Sequence, residues 1–247
     1  MSVVSLTHKE HENAKITRGI ARLLSPGPTF GLHASCSSER GQVEQYVFDQ
    51  FLANHGAHVR EFMPMLFTTA CRGDYTAAVG IRPALGHDLF LEQYLPETAE
   101  KAIGGLTGEC VDRQHIVEIG SLVATHGGAS QLVYLIMAAV LQRAGFKWLM
   151  ITATPQVQKA ISRLGFDLYP LAYADPSVLD ADSLNDWGSY YESQPRIVVG
   201  NLSEAMTVLA DRKIYSRLIS YYQDRIETLA IMIKQGKLSD AQHSFAA

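Results

Sequence analysis

Glu118 is a carboxylate in an apolar setting, which suits it to proton transfer. It stands in the run His115-Ile-Val-Glu-Ile-Gly-Ser-Leu-Val-Ala124, whose alternation and β-branched residues predict a central strand. Carboxyl groups among apolar side chains have a raised pKa, and such a group can act as a general base near neutral pH. The alternative is structural: Glu118 forms a buried ion pair with Arg82 on the neighbouring strand.

Arg82 ends a predicted strand, since Pro83 follows it. Its forked guanidinium favours planar anions such as carboxylates. That anion is either the Glu118 side chain or the carboxylate of an acceptor molecule such as an amino acid. Glu118 and Arg82 are therefore the predicted catalytic residues.

A glycine-containing segment, Thr125-His-Gly-Gly-Ala-Ser130, separates the Glu118 strand from a predicted helix over residues 131–144. The N–H groups of such a loop and the positive end of a helix dipole suit a phosphate. The predicted donor-binding residues are His126, Gly127, Gly128, Ala129 and Ser130. The alternative is a strand-to-helix turn that binds nothing, because glycine is common at such turns.

The elements around these residues predict an α/β fold with a mixed sheet flanked by helices. Before Glu118 the patterns indicate an edge strand at 29–33, a helix at 37–54 and a hairpin at 65–81. A helix broken at Pro96 follows at 89–103, and a flexible glycine joint at 104–108. After the helix over 131–144 come a strand, a helix and a strand at 146–152, 156–164 and 166–171.

The chain divides into a loose polar arm over 1–28, a main domain over 29–174, and a C-terminal extension over 175–247. The extension contains an aromatic cluster, a short strand at 195–200 and an amphipathic helix at 213–235. We expect this helix to pack on the same core, with a homodimer seam as the alternative. The rings of Trp187, Tyr190 and Tyr191 either line a tunnel or pack in the core.

Composition argues against several functions. The net charge of -4 disfavours nucleic acid as a partner. Three widely spaced cysteines fit a reducing compartment, and the sequence has neither an apolar run of about 18 residues nor a signal peptide, so we expect a cytoplasmic protein with no integral membrane segment. Without a His-Glu-x-x-His pattern, no metal site is predicted.

The order of elements resembles the acyltransferase fold of the Gcn5-related N-acetyltransferases and the acyl-homoserine lactone synthases. Arg82 and Glu118 match arginine and glutamate positions of the synthases, whereas Ser121 stands where their second motif has an arginine. The resemblance implies that the strands at 115–124 and 146–152 splay apart. It also implies that an acyl thioester of coenzyme A or of an acyl carrier protein lies in the gap, with its phosphate on the glycine loop.

Three separated motifs resemble the bacterial thermostable hemolysin family; they are Leu89-Phe-Leu-Glu-Gln-Tyr-Leu95, the strand around Glu118, and Trp187-Gly-Ser-Tyr-Tyr191. The family's name implies lysis of red cells, while its fold is acyltransferase-like. We therefore expect an acyltransferase that moves an acyl group from a coenzyme A or carrier-protein thioester to a small-molecule amine. The alternative is a membrane-lytic or non-enzymatic effector.

Overall fold

The structure is a computed structural model that describes residues 27–86, 88–125 and 127–244. Most of the predicted arm over 1–28 lies outside these residues, as does His126 of the predicted donor-binding loop. Statements about the fold and the site below concern the described residues.

Seven strands form one sheet in the order β1-β2-β3-β4-β5-β7-β6. The strands are β1 (Thr29–Ala34), β2 (Met65–Cys71), β3 (Asp74–Pro83), β4 (Ile116–Ala124), β5 (Trp148–Ala153), β6 (Tyr169–Tyr173) and β7 (Arg196–Asn201). Neighbouring strands are antiparallel except β4 and β5, which pair in parallel. The predicted mixed α/β sheet is confirmed.

Helices cover both faces of this sheet. They are α1 (Arg40–His55), α2 (Ala99–Thr107), α3 (Gly127–Arg143), α4 (Pro155–Ser162), α5 (Ala181–Asp186), α6 (Leu202–Asp211), α7 (Lys213–Tyr221) and α8 (Gln223–Ser244). One face packs against α3, which α6, α7 and α8 cover in turn, so the residues from Leu132 to Leu141 are all buried. The opposite face packs against α1, α2 and a 3₁₀ turn at Phe90–Tyr94.

The C-terminal segment completes the sheet, which corrects the expected boundary at residue 174. β7 falls in the predicted extension over 175–247, yet it lies between β5 and β6. Because β6 pairs in the sheet only with β7, the sheet cannot be complete before Asn201. Pairing over such a sequence distance leaves no mark in local periodicity.

Three predicted elements differ from the structure. The helix expected over 89–103 is a 3₁₀ turn followed by α2, and the expected flexible joint over 104–108 is the last turn of α2, with Gly108 as its left-handed cap. The helix expected over 213–235 is divided into α7 and α8 at Tyr222.

Gly188, in the aromatic motif, is held where only glycine fits. Its φ is +51°, and a Cβ atom there would overlap the carbonyl oxygen of His55 at the end of α1. The next residue, Ser189, donates its N–H to that oxygen at 2.9 Å, so the two segments cannot separate without losing a hydrogen bond.

We therefore expect Gly188→Ala to lower the free energy of unfolding by about 2 kcal/mol or more, because it adds left-handed strain to a backbone clash. Urea denaturation measures this. The control is Gly41→Ala, since a Cβ at Gly41 meets nothing within 4 Å; it should change stability by less than about 1 kcal/mol. Equal effects of the two substitutions would contradict the prediction.

Candidate active site

The parallel strands β4 and β5 separate partway along their length. They pair only from Ile116 to Ile119 of β4, opposite Trp148–Ile151. Beyond this point β4 contains a bulge: Ser121 has φ +47°, and the register with β3 shifts by one residue between Ala78 and Gly80. The splay implied by the acyltransferase resemblance is confirmed.

Tyr190 forms a hydrogen bond with β5 at this gap. Its hydroxyl donates to the carbonyl oxygen of Thr152 at 3.1 Å, on β5 just beyond the last pair with β4. A backbone carbonyl in a partly buried setting needs a partner, and the Tyr190 hydroxyl is one for Thr152. Burial raises the pKa of Tyr190, which keeps its hydroxyl protonated and able to donate.

A cavity of about 740 Å³ opens at the gap and reaches both faces of the sheet. Ser130 and Tyr134 of α3 line it on one side. Phe51 of α1 and Trp187 line it on the other side, and β4 beyond Glu118 forms the wall between them. Two molecules could therefore reach the gap from opposite faces of the sheet.

Glu118 lies where the paired part of β4 ends and the gap begins. Its side chain is 3% exposed. The backbone N–H of Phe90 donates to Oε2 and that of Leu91 to Oε1, each at 3.0 Å. Burial raises the pKa of Glu118 to about 7, although the Arg82 charge and the two N–H donors act in the opposite direction. Near neutral pH this carboxyl group can therefore both accept and release a proton.

The structure brings Arg82 and Glu118 together, as expected from the sequence. They are directly opposite in the β3–β4 register, and Nη1 of Arg82 lies 3.5 Å from Oε2 of Glu118. The separation is longer than in a bidentate pair, and both side chains line the cavity. The geometry is compatible with an ion pair and with contact between Arg82 and a bound molecule.

The predicted glycine loop is partly helical. Residues 127–130 form the first turn of α3, so this helix begins four residues before the expected start at Gln131. The correction keeps the N–H groups of Gly127, Gly128 and Ala129 in the first turn of a helix, where they lack intrahelical acceptors, and Ser130 follows in the same turn. Of these residues, Ser130 lines the cavity.

Aromatic rings form the wall of the cavity on the Glu118 side. Trp187 packs against Tyr190 with ring centroids 5.2 Å apart and against Phe90 at 6.1 Å. The hydroxyls of Tyr94 and Tyr191 are 2.5 Å apart and join the 3₁₀ turn to the aromatic motif. These rings therefore both line the cavity and pack against one another.

Sequence reasoning missed the part played by Phe90 and Leu91. Their contribution is made by backbone N–H groups, which no residue type reveals. The signal in the sequence was the motif Leu89–Leu95, which resembles a family pattern and which by its periodicity predicts only a helix.

The architecture is that of the acyl-homoserine lactone synthases. The structure is similar to "the AHL Synthase LasI" with a TM-score of 0.50 and 12% identity, over 71% of this chain and 90% of that chain. It is similar to BjaI, a CoA-dependent acyl-homoserine lactone synthase, with MTA (TM-score 0.52) and with SAM and isopentyl-CoA (TM-score 0.51). Both comparisons with BjaI have 11% identity over 75% of this chain and 89% of that chain.

The chain belongs to the thermostable hemolysin family, whose sequence model matches residues 33–206. No curated protein sequence matches it. Among the described residues, no helix has the length and apolar character needed to cross a membrane. Within the same part of the chain, no group of three or more His, Cys, Asp or Glu residues could hold a metal ion.

The raised pKa of Glu118 predicts how stability depends on pH. Between about pH 4.5 and 7 the folded protein holds a proton on Glu118 that the unfolded chain has released. This contribution to stability is complete below about pH 4.5 and is lost as pH rises through about 7. The Gln side chain does not titrate, so the stability advantage of wild type over Glu118→Gln should fall by about 3 kcal/mol across this range.

Urea denaturation of both proteins at about pH 4.5 and about pH 8 measures the difference. Glu97→Gln, at an exposed position, is the matched control and should show no such pH-dependent change. A constant difference between wild type and Glu118→Gln would mean that Glu118 ionises normally.

Proposed function

We propose that this protein transfers an acyl group from a thioester of coenzyme A or of an acyl carrier protein to an amine. The observation that carries the proposal is the gap between β4 and β5, which joins the two faces of the sheet beside Glu118. A donor and an acceptor entering from opposite faces would meet there without competing for the same space.

The donor fits the side covered by α3. Past Ile119, β4 pairs with no described strand on the side facing β5, so its backbone can bind the amides of a pantetheine arm as a strand would. The first turn of α3 then suits the phosphate, at Gly127, Gly128, Ala129 and Ser130. That BjaI has been described with isopentyl-CoA supports an acyl thioester donor in this fold.

The acceptor fits the side of Glu118 and Arg82. An amine nitrogen attacks the thioester carbonyl, a C–N bond forms, and the C–S bond breaks. Glu118 takes the proton that the nitrogen loses, directly or through water, and returns it to the departing sulfur. Its pKa of about 7 suits both steps, because the ionised and protonated forms are both populated near neutral pH.

Arg82 is proposed to hold the acceptor when that molecule has a carboxylate, as an amino acid has. Its guanidinium borders the cavity beside Glu118, and an arginine fork favours a carboxylate. The competing role is to pair with Glu118 alone, in which case the acceptor needs no carboxylate. Amines with and without a carboxylate distinguish these roles.

A second candidate function is membrane lysis, which the family's name favours. The two functions make different demands on the assay. A lytic effector should release haemoglobin from red cells without any thioester, whereas the acyltransferase should release a free thiol and leave the cells intact.

The proposed reaction predicts that Glu118→Gln reduces kcat about a hundredfold or more, because the amide cannot take up the proton, and leaves the donor Kd within about twofold, because the proposed donor site lies on the side of α3. The assay incubates the purified protein with acyl-CoA and acyl-carrier-protein thioesters and a panel of amino acids and simple amines. Free thiol is followed by colour and products by mass spectrometry. Glu97→Gln is the control. Full turnover in Glu118→Gln would exclude Glu118 as the base, and no thiol release with any pair would exclude the transfer reaction.

A separate variant tests the donor site. Gly128→Val adds a branched side chain to the first turn of α3 and should weaken thioester binding about tenfold or more, because the phosphate could no longer approach the backbone. Calorimetric titration with a non-hydrolysable acyl-CoA analogue measures it. Gly105→Val, in α2 where a Cβ meets nothing within 4 Å, is the control. Equal donor affinity in the two variants would remove the phosphate site from this helix.

A further inference from the structure

The family motif around Leu89–Leu95 contains a second carboxylate, Glu92, with a different environment from Glu118. Its Oε2 accepts the backbone N–H of Leu89 at 2.9 Å, and its Oε1 accepts that of Ala99 at 2.7 Å. Glu92 therefore closes the start of the 3₁₀ turn and connects it to the start of α2. This role requires the residue to remain ionised.

Arg113 provides the opposite charge. Its Nη1 donates to Oε1 of Glu92 at 2.6 Å and its Nη2 to Oε2 at 2.7 Å, a bidentate pair. Nη1 also donates to Glu100 at 2.8 Å, and Nε donates to the carbonyl oxygen of Ala84 at 3.0 Å. Ala84 follows β3 directly, and Arg113 lies three residues before Ile116, the first residue of β4. One side chain thus connects the 3₁₀ turn to the strands that carry Arg82 and Glu118.

The two carboxylates differ in their protonation. Burial raises the pKa of Glu92, but the hydrogen bonds from Arg113, Ala99 and Leu89 outweigh it and lower the pKa to about 2. The carboxylates of Glu92 and Glu100 raise the pKa of Arg113. The pair therefore stays charged over the range in which Glu118 changes its charge.

We propose that the Glu92–Arg113 ion pair is the positioning element that holds the N–H groups of Phe90 and Leu91 against the Glu118 carboxylate. These donors immediately precede Glu92 in the turn, and each serves one oxygen of Glu118. The catalytic meaning of this arrangement rests on the proposed function, whereas the arrangement itself does not. Glu92 and Arg113 act through the turn and touch no substrate.

The N–H groups of Phe90 and Leu91 affect the pH at which Glu118 titrates. Hydrogen bonds from N–H groups favour the ionised carboxylate. The other charged or titratable groups that act on Glu118 are Arg82 on β3, and Glu92 and Tyr94 on the 3₁₀ turn. If the turn relaxes and the donors withdraw, Glu118 must bind its proton more tightly while Arg82 remains in place. Loss of stability alone would leave this titration unchanged.

The experiment follows the Glu118 carboxyl carbon by NMR as pH is varied, in full-length protein labelled with ¹³C at glutamate side chains. The resonance is identified by its absence from Glu118→Gln. Arg113→Gln removes the fork, Arg113→Lys keeps the charge without the fork, and Glu92→Gln removes the carboxylate. The matched control is Arg143→Gln, which breaks the exposed ion pair of Arg143 with Glu227.

In Arg113→Gln the Glu118 titration should move to higher pH, with roughly tenfold tighter proton binding. Arg113→Lys should move it in the same direction by less, and Arg143→Gln should leave it unchanged. In Glu92→Gln the loss of the Glu92 charge by itself would lower the pKa of Glu118, so a move to higher pH in this variant reports withdrawal of the donors, and a move to lower pH overturns the proposal. An unchanged titration in Arg113→Gln, even with a lower melting temperature, would overturn the proposal. If Arg113→Gln does not fold, an unchanged titration in Arg113→Lys overturns it.

This readout requires no turnover, so the positioning role and the proposed function can fail separately. Absence of acyl transfer with a shifted Glu118 titration would remove the function and keep the positioning role. Acyl transfer with an unshifted Glu118 titration would remove the positioning role and keep the function. Where transfer is measured, the pH at which kcat/KM reaches half its maximum should rise in Arg113→Gln together with the Glu118 titration.

Discussion

The parallel pairing of β4 with β5 ends after Ile119, and the rest of the site depends on that ending. A continuous ladder would fill the centre of the sheet and separate its two faces completely. β4 has a bulge at Ser121, and the cavity lies beside this part of the strand. On β5, just beyond its last pair with β4, the carbonyl oxygen of Thr152 accepts a hydrogen bond from the Tyr190 hydroxyl.

The three segments that carry the family motifs meet at this opening, and each contributes a different kind of group. The strand motif supplies the buried carboxylate of Glu118. The motif around Glu92 supplies backbone donors to that carboxylate, and the aromatic motif supplies the cavity wall through Trp187 and Tyr190. The hydroxyl pair of Tyr94 and Tyr191 connects the second and third motifs directly. Three motifs that are far apart in sequence therefore contribute different groups to one site.

Membership of the thermostable hemolysin family and the fold of the acyl-homoserine lactone synthases are both established for this chain. The fold explains how a thioester and an amine could meet, because the gap is accessible from both faces. Glu118 has two roles, because the carboxylate that could accept a proton also connects β4 to the 3₁₀ turn through the N–H groups of Phe90 and Leu91. Burial holds the pKa of Glu118 at about 7, whereas the hydrogen bonds from Arg113, Ala99 and Leu89 hold the pKa of Glu92 at about 2 and keep Glu92 ionised.

Local patterns in the sequence were enough to predict β4 and the buried helix after it, because the period of apolar residues is set by neighbouring residues. The proximity of Arg82 to Glu118 was expected because both residues match positions of the synthases, and the register of β3 with β4 places them opposite each other. Only the tertiary structure decided that β7 lies between β5 and β6, that Leu89–Leu95 is a 3₁₀ turn, and that Phe90 and Leu91 donate to Glu118. Strand order and backbone donors depend on contacts between distant residues, whose energies do not appear in the periodicity of either segment alone.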